Sequence, residues 1–442
     1  MNGGKLPEGW VETPLENIVE ILDSMRIPVN NKERQKRIEG KDFNKLYPYY
    51  GATGEVGKID DFIFDEELIA LGEDGVPFFD GQKNKAYMLY GKTWVNNHAH
   101  VLKAIQGLSH NKFLCYFLNQ FDYHDYVNGG TRLKLTQANM RKIPVRFVPF
   151  SEQKIIAEKL DTLLAQVDST KARLEQIPQI LKRFRQVVLA AIVNGKLSTN
   201  TEQWKVYSLK NLCVSISDGD HQAPPKSETG IPFLVISDVN KGKIDLENVS
   251  RWVPESYYLA LKEIRKPSLN DILYTVTGSF GIPVVVNTTK PFCFQRHISI
   301  IKPNSNLINY RFLLFYLESP QIFKHASDVA TGTAQKTVSL SSLRNFELSV
   351  PSLKEQAVIV HRVEQLFAYA DTIEKQVNNA LTRVNNLTQS ILAKAFRGEL
   401  TAQWRAENPS LISGENSATA LLERIKAERA ASSGKKSSRK KA

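Results

Sequence analysis

Cysteine is scarce in this 442-residue chain, and what there is lies scattered at Cys115, Cys213 and Cys293. No C-x-x-C pair occurs, so neither a disulfide framework nor a cysteine-based zinc site is indicated. Long apolar runs are missing too. The longest wholly apolar stretch, Val187 to Val193, falls far short of the roughly 20 residues that cross a bilayer. Met1 to Trp10 contains no apolar core, which argues against a secretory signal. A reduced, cytoplasmic protein fits these absences.

The motifs of common catalytic sites are equally lacking. No G-x-G-x-x-G follows a strand. Gly91-Lys92-Thr93 looks like the end of a phosphate loop, but Ala86 stands where the upstream glycine is required. The one Pro-Pro pair, Pro224-Pro225, is flanked by Ala223 and Lys226, unlike the Asn/Asp-Pro-Pro-aromatic run of an adenine aminomethyltransferase. No Gly-x-Ser-x-Gly elbow and no His-Glu-x-x-His helix is present. The chain therefore reads as non-catalytic.

Charge is what the chain has in excess, at +12, which invites a nucleic-acid reading. From Leu421 to Ala442, however, eight Lys or Arg face two Glu, so half of that excess sits at the end. Residues 406–442 read as a basic, largely flexible tail. Charge alone does not establish DNA binding.

The strongest positive signal is an internal repeat. Glu152-Gln153 through Gly195-x-Leu197 returns 203 positions later as Glu355-Gln356 through Gly398-x-Leu400. Both stretches carry heptads. In the first, Leu160, Val167, Leu174, Leu181 and Val188 interleave with Leu163, Thr170, Ile177 and Phe184. In the second, Val363, Ala370, Val377, Val384 and Ile391 interleave with Leu366, Ile373, Ala380 and Leu387. A two-position seam kept over four or five heptads predicts a coiled coil, with each helix as the other's partner. Pro178 should kink or break the first helix, and Gly195 and Gly398 are expected to cap the two C-termini.

The repeat runs on, more faintly, before each helix. Gly72-Glu-Asp-Gly75-Val-Pro77 is matched with Gly278-Ser-Phe-Gly281-Ile-Pro283, and His98 with His297. Phe113-Leu114 pairs with Phe312-Leu313, Gly130-Thr131 with Gly332-Thr333, and Trp10 with Trp204. Strand-like runs bounded by Gly and Pro, with short helices, predict an α+β fold. It comprises two similar globular domains, 1–150 and 201–352, separated by two long helices, 151–200 and 353–405, which pair as an antiparallel intramolecular coiled coil. The framework recurs while the loops diverge, as suits one scaffold reading two different targets.

Candidate DNA contacts are polar side chains on the Gly-flanked loops. In the first domain these are Asn96, Asn97, His98, Asn128, Thr131, Arg132 and Lys134. In the second they are Lys226, Ser279, Gln295, Arg296, His297, Thr331, Thr333, Gln335 and Lys336. Arg, Lys, Asn and Gln make bidentate contacts to base edges, but the cations can equally rest on phosphates. Glu73-Asp74 either accepts from a cytosine amino group or forms a solvated turn. His98-Ala-His100 puts two imidazoles on one face of a strand. A structural or DNA-contacting role is favoured there over a metal site, because the second copy has Ser299. Asp218-Gly-Asp220-His221 reads as a turn rather than a cation site.

Ser151-Glu-Gln-Lys-Ile-Ile-Ala-Glu-Lys-Leu-Asp-Thr-Leu-Leu-Ala-Gln-Val-Asp168 resembles the central region of the specificity subunits of type I restriction–modification enzymes, type IA group. Arg362-Val-Glu-Gln-Leu-Phe-Ala-Tyr-Ala-Asp371, and Gly398-Glu-Leu-Thr-Ala-Gln-Trp404, resemble that group's C-terminal region, and Gly4-Lys-Leu-Pro-Glu-Gly-Trp10 its N-terminus. The resemblance implies two target-recognition domains on double-stranded DNA, each reading half of a split, asymmetric site. It further implies that the helices act as a ruler for the unread spacer. They would dock two modification subunits that methylate adenine at N6, and restriction subunits would complete the nuclease. S-adenosylmethionine, ATP and magnesium are then expected on the partners, with no cofactor on this chain. A coiled-coil scaffold with protein-binding globules, or a nuclease with an unrecognised site, are the competing readings.

Overall fold

The computed structural model describes residues 6–198, 204–219, 221, 224–239 and 241–438, with side chains as far as residue 430. It divides into two compact units, Met1–Glu175 with Asn379–Ala442, and Gln176–Asn378. The divisions fall inside the two long helices rather than at their ends, so each helix lends one half to each unit.

In the first unit, four antiparallel strands run in the order Val19–Ile21, Ala99–Ala104, Leu68–Gly72, Ala86–Leu89. The strand Leu68–Gly72 is buried at all five positions, as expected of an unbroken apolar run in the middle of a sheet covered on both faces. A second sheet, ordered Gly54–Ile59, Tyr47–Gly51, Lys92–Val95, Phe64–Asp65, is built from the intervening chain. A two-stranded ribbon, Val11–Pro14 with Pro144–Phe147, ties the start of the chain to the entry of the first long helix.

The second unit repeats this framework. Its four-stranded sheet runs Cys213–Asp218, Ile298–Pro303, Ile272–Thr275, Pro283–Val285, and its ribbon pairs Lys205–Ser208 with Glu347–Val350. Register is conserved between the copies: Ile69 faces Leu102 in one, Ile272 faces Ile301 in the other. The accessory sheet differs, having three strands, Trp252–Val253, Ile231–Leu234 and Cys293–Phe294. The α+β expectation holds, with the divergence confined to what lies between framework strands.

Each long helix, Phe150–Val193 and Leu353–Phe396, has 44 residues. Within the second unit they run antiparallel: Arg185 donates to Asp371 at 2.7 Å and Glu374 at 2.9 Å. Further along, Val188, Leu189 and Ile192 share a core with Ile359, Val360 and Val363. Within the first unit Ile156 and Leu160 share a core with Leu392, Ala395 and Phe396. Gly195 (φ 67°) and Gly398 (φ 80°) are the expected caps. Lys196 N–H bonds Ala191 O, and Glu399 N–H bonds Lys394 O, the six-to-one closure of a Schellman turn.

The seam is less even than the heptads predict. Leu160, Val167, Leu181, Val188, Val363, Ala370 and Val377 are buried. Leu163, Leu174, Ile177, Phe184, Leu366, Ile373, Ala380, Val384 and Ile391 are half-buried, and Thr170 and Leu387 are exposed. A strict seven-residue repeat drifts by about 20° per heptad on a straight helix, which turns some seam positions out of the contact. Pro178 does not break the first helix, which continues through it.

The start of each long helix is held by the repeated Glu-Gln pair. Gln153 is fully buried; it accepts from His110 N–H (2.9 Å) and donates to Leu108 O and Val148 O (both 2.9 Å). Gln356 makes the same three bonds with Asn309 N–H, Leu307 O and Pro351 O. Glu152, also fully buried, accepts from Trp10 Nε1, Thr401 Oγ1 and Arg405 Nη1. In the second copy Glu355 accepts from Ser198 Oγ at 2.7 Å.

Part of the stretch expected to be a flexible tail, 406–442, is folded. Ile412, Ala418, Leu421, Leu422 and Ile425 are buried, the last four in the first unit's core. Arg429 donates to Glu16 O. Ala418, Leu421, Leu422 and Ile425 form an i, i+3, i+4, i+7 stripe that the surrounding charge obscures in the sequence.

Replacing Gln153 with Ala strips the partner from two buried carbonyls and a half-buried N–H, so stability should fall by at least ~1–3 kcal/mol. Glu158→Ala, on the exposed side of the same helix, should change it by less than ~0.5 kcal/mol. Urea unfolding of the two variants checks this.

Candidate nucleic-acid interface

The four-stranded sheet ends, in both units, beside a turn and a hairpin. In the first unit Leu68–Gly72 runs into Glu73-Asp74-Gly75, and Gly75 takes φ 68°. The hairpin closes where Asn128 N–H bonds Lys134 O and Lys134 N–H bonds Asn128 O. Gly129 is required within it, since a Cβ there would sit 2.3 Å from Arg132 O. The hairpin then joins the turn: Gly75 N–H bonds Leu133 O, and Leu135 N–H bonds Glu73 O.

The second unit builds the same device 203 positions later. Thr331 and Thr337 close the hairpin, Gly278 N–H bonds Lys336 O, and Val338 N–H bonds Val276 O. Gly332 occupies the Gly129 place, its missing Cβ 2.3 Å from Gln335 O. These bonds correct the register read from the sequence. Gly75 corresponds to Gly278, not Gly281, and Gly129 corresponds to Gly332, where Gly130 had been matched. The G-x-x-G-x-P likeness is coincidental, because the loops that follow differ in length. His98 and His297 do correspond: their carbonyls accept from Glu73 N–H and Val276 N–H respectively.

Around the first turn lies a network of charge. Asp74 Oδ1 meets His98 Nδ1 at 2.8 Å and Arg132 Nη2 at 3.1 Å. Glu73 receives Arg26 Nη1 at 3.0 Å and Lys134 Nζ at 3.2 Å. Beneath them His100 is buried, with Nδ1 2.6 Å from Asp23 Oδ2 and Nε2 2.9 Å from Leu135 O. Asp23 also accepts from Gln137 Nε2 and Val101 N–H. Burial pushes the Asp23 carboxyl up, but the bonds from His100, Gln137 and Val101 outweigh it and hold the group below its ordinary value.

The second network is sparser. Asp218 stands where Asp23 does, at the end of a strand paired with Ser299, and bonds His221 Nε2 at 2.8 Å. Val276 and Thr277 replace the acidic Glu73 and Asp74. Ser299 replaces His100, and its fully buried hydroxyl bonds no group among the described residues. An open depression of about 440 Å³ results, lined by Asp218, His221, Arg296, His297, Ser299 and Gln335 among others. His297 Nε2 accepts from Arg296 Nε at 3.4 Å. Burial, then the Arg296 charge, holds its imidazole below the ordinary range, so it is neutral near pH 7.

The candidate residues sort accordingly. Asn128, Thr131, Arg132 and Lys134 lie exposed on the first hairpin, beside half-buried His98 and exposed Asn97. Asn96 does not face solvent; it is buried and accepts from His98 N–H at 2.8 Å, shaping the turn. Thr331, Thr333, Gln335 and Lys336 are exposed on the second hairpin, with exposed Ser279 just past its turn and exposed Arg296 beside half-buried His297. Gln295 is half-buried, with its backbone bonded to Leu234 O. Lys226 is exposed next to the accessory sheet rather than on the hairpin. Asp220, Gly4 and Lys5 lie outside the described residues.

Sequence reasoning missed Arg26, Asp23, Gln137 and Thr337 as parts of these sites, and read Asp218 only as part of a turn. A signal for two of them was there: Val19-x-Ile21-x-Asp23 returns as Val214-x-Ile216-x-Asp218. Both nitrogens of His100 are engaged, leaving no lone pair for a metal. Among the described residues no cluster of three or more His, Cys, Asp or Glu is placed to hold one. A larger cleft, about 580 Å³ in the first unit, is lined by Lys112, Tyr116, Asp161 and Gln389 among others. Those four polar groups are already paired, Asp161 with Lys112 and Tyr116, and Gln389 with Gly81 O.

The model of the type I restriction modification DNA specificity domain matches the chain twice, over residues 7–179 and 201–383. The chain belongs to that family. It is 40% identical to the type I restriction enzyme EcoKI specificity subunit of Escherichia coli over the full length of both chains. To the EcoBI specificity subunit, also from Escherichia coli, it is 52% identical over 316 residues, 66% of each chain. The crystal structure of the HsdS subunit from Thermoanaerobacter tengcongensis shares the fold, with a TM-score of 0.60 at 18% identity, over 90% of this chain and 99% of that one. As a specificity subunit the chain is non-catalytic. Among the described residues no helix is long and apolar enough to cross a membrane.

His100→Ala removes one partner of a buried pair and should cost the chain ~3–5 kcal/mol. Ser299→Ala, at the corresponding place, removes a hydroxyl without a partner among the described residues and should stay within ~1 kcal/mol. Because Asp23 titrates lower in the folded chain, its contribution is complete above about pH 4 and disappears as pH falls through that lower folded value. Asp23→Asn should therefore flatten the acid limb of stability against pH while costing stability at neutral pH, as denaturant titrations across pH would show.

Proposed function

We propose that each unit of this specificity subunit reads one half of a divided, asymmetric site in double-stranded DNA. Adenine-N6 modification subunits, two in number, and ATP-dependent restriction subunits assemble on it in the cytoplasm. S-adenosylmethionine, ATP and magnesium belong to those partners. One observation carries this reading: the same turn and hairpin appear in both units, superposable in hydrogen-bond register, while the side chains they present are unlike. A two-stranded ribbon fits the major groove, where each base pair shows a distinct donor and acceptor pattern. Exposed Ile180, Val187, Tyr369 and Leu387 on the long helices are apolar surface suited to partner subunits.

The reading predicts that the chain, with adenine methyltransferase subunits, binds DNA in a sequence-dependent, salt-sensitive way, and that methylation occurs only in that mixture. Magnesium-dependent cleavage by the chain alone would instead point to a nuclease, and indifference to DNA in every mixture to a protein scaffold. We further propose that the long helices set the number of unread base pairs between the half-sites. Inserting one heptad after Ala172 and one after Lys375 adds about 10 Å of helix, and should lengthen the preferred spacer by about three base pairs at 3.4 Å each. The bases read at either side should be unchanged; an unaltered spacer in methylation mapping would refute the ruler role.

A further inference from the structure

Arg132 and Gln335 occupy one position in two copies of the same hairpin. Each is three residues past the obligatory glycine, and the carbonyl of each packs against that glycine in the same way, 2.3 Å from where a Cβ would be. Both side chains are exposed. What stands behind them changes in step. Asp74, held by His98, lies 3.1 Å from the Arg132 guanidinium; at the matching place behind Gln335 is the neutral Thr277, bonded to Thr337. The neighbouring positions change likewise, Glu73 and Lys134, which form an ion pair, giving way to Val276 and Thr337. Acid and base disappear together, so these carboxylates serve the cations opposite them rather than a ligand of their own.

The stability value of the Arg132–Asp74 pair cannot explain it. Arg132 is 66% exposed, and exposed pairs contribute roughly 0–1 kcal/mol. Its effect is orientation. One N–H of the guanidinium goes to Asp74, leaving four of the five, enough for a two-pronged bond. Arg is matched in that way by guanine O6 and N7, and Gln by adenine N6 and N7.

We propose that Arg132, oriented by Asp74, reads a guanine in the half-site of the first unit, and that Gln335 reads an adenine at the equivalent place in the half-site of the second. Arg132 and Gln335 are the specificity-determining residues, and Asp74 is a positioning residue. This rests on the DNA-reading function proposed above.

The test uses full-length chain assembled with its methyltransferase subunits, and competition binding to synthetic duplexes varied one base pair at a time around the mapped site. Arg132→Gln should lower the preference for guanine over adenine at one position of one half-site by about 5- to 150-fold, equivalent to ~1–3 kcal/mol. The other half-site should be untouched. Gln335→Arg should produce the reverse change in the other half-site, and serves as the independent variant should the first disturb the hairpin. Asp74→Asn should weaken discrimination at the Arg132 position alone, and Asp74→Glu should restore part of it. Equal weakening on every duplex, with the salt slope reduced by about one, would place Arg132 on a phosphate and overturn the proposal. A wild-type complex that shows no base preference at all would sink the DNA-reading function itself, an outcome told apart from the first by the wild-type control.

Discussion

Two buried glutamines hold this protein's architecture in register with itself. A 44-residue helix has no intrinsic reason to meet a mixed sheet at one rotation and one height. Gln153 supplies that reason by closing three backbone groups from two different segments of the first unit, and Gln356 does the same in the second. A buried donor or acceptor left open costs ~1–3 kcal/mol, so a helix displaced by one residue would forfeit several such bonds at once. Glu152 adds a charged version of the same constraint, gathering Trp10, Thr401 and Arg405 around one carboxylate. The C-terminal segment thereby becomes part of the first unit's core.

On that fixed base the two units diverge in how they hold their hairpins. The first uses carboxylates: Asp23 beneath His100, Glu73 and Asp74 behind Lys134 and Arg132. The second keeps Asp218 in the place of Asp23 but otherwise uses hydroxyls and apolar side chains, Ser299, Thr277, Thr337 and Val276, around an open depression. The backbone hydrogen bonds are the same in both. The shared framework is thus held by main-chain atoms and the difference between the units by side chains, so the latter can change without refolding the frame.

Much of this was legible beforehand because repeats and periods are linear signals. The Glu-Gln starts, the Gly195 and Gly398 caps, the pairing of His98 with His297 and the α+β framework all follow from residues close in sequence or equally spaced along it. Other readings went astray for identifiable reasons. The G-x-x-G-x-P match put the turns three residues out, because two loops of unlike length separate them from the next shared strand. The even heptad seam failed at Thr170 and Leu387, since a strict seven-residue repeat drifts around a straight helix. The buried stripe around Leu421 and Ile425 was hidden by its charged neighbours.

By itself the sequence determined the two-fold repeat, the long helices, the lack of known catalytic motifs and the family, all properties of local pattern and spacing. Only the tertiary structure decided which polar residues converge. Asp23, His100 and Gln137 come together across more than a hundred positions, and Asn96, exposed by its company in the sequence, turns inward to bond His98 N–H. That division has a physical cause. Periodicity records which face of an element is buried, whereas a site depends on the registers of strands and hairpins remote in the chain, which are set only when their backbone bonds close.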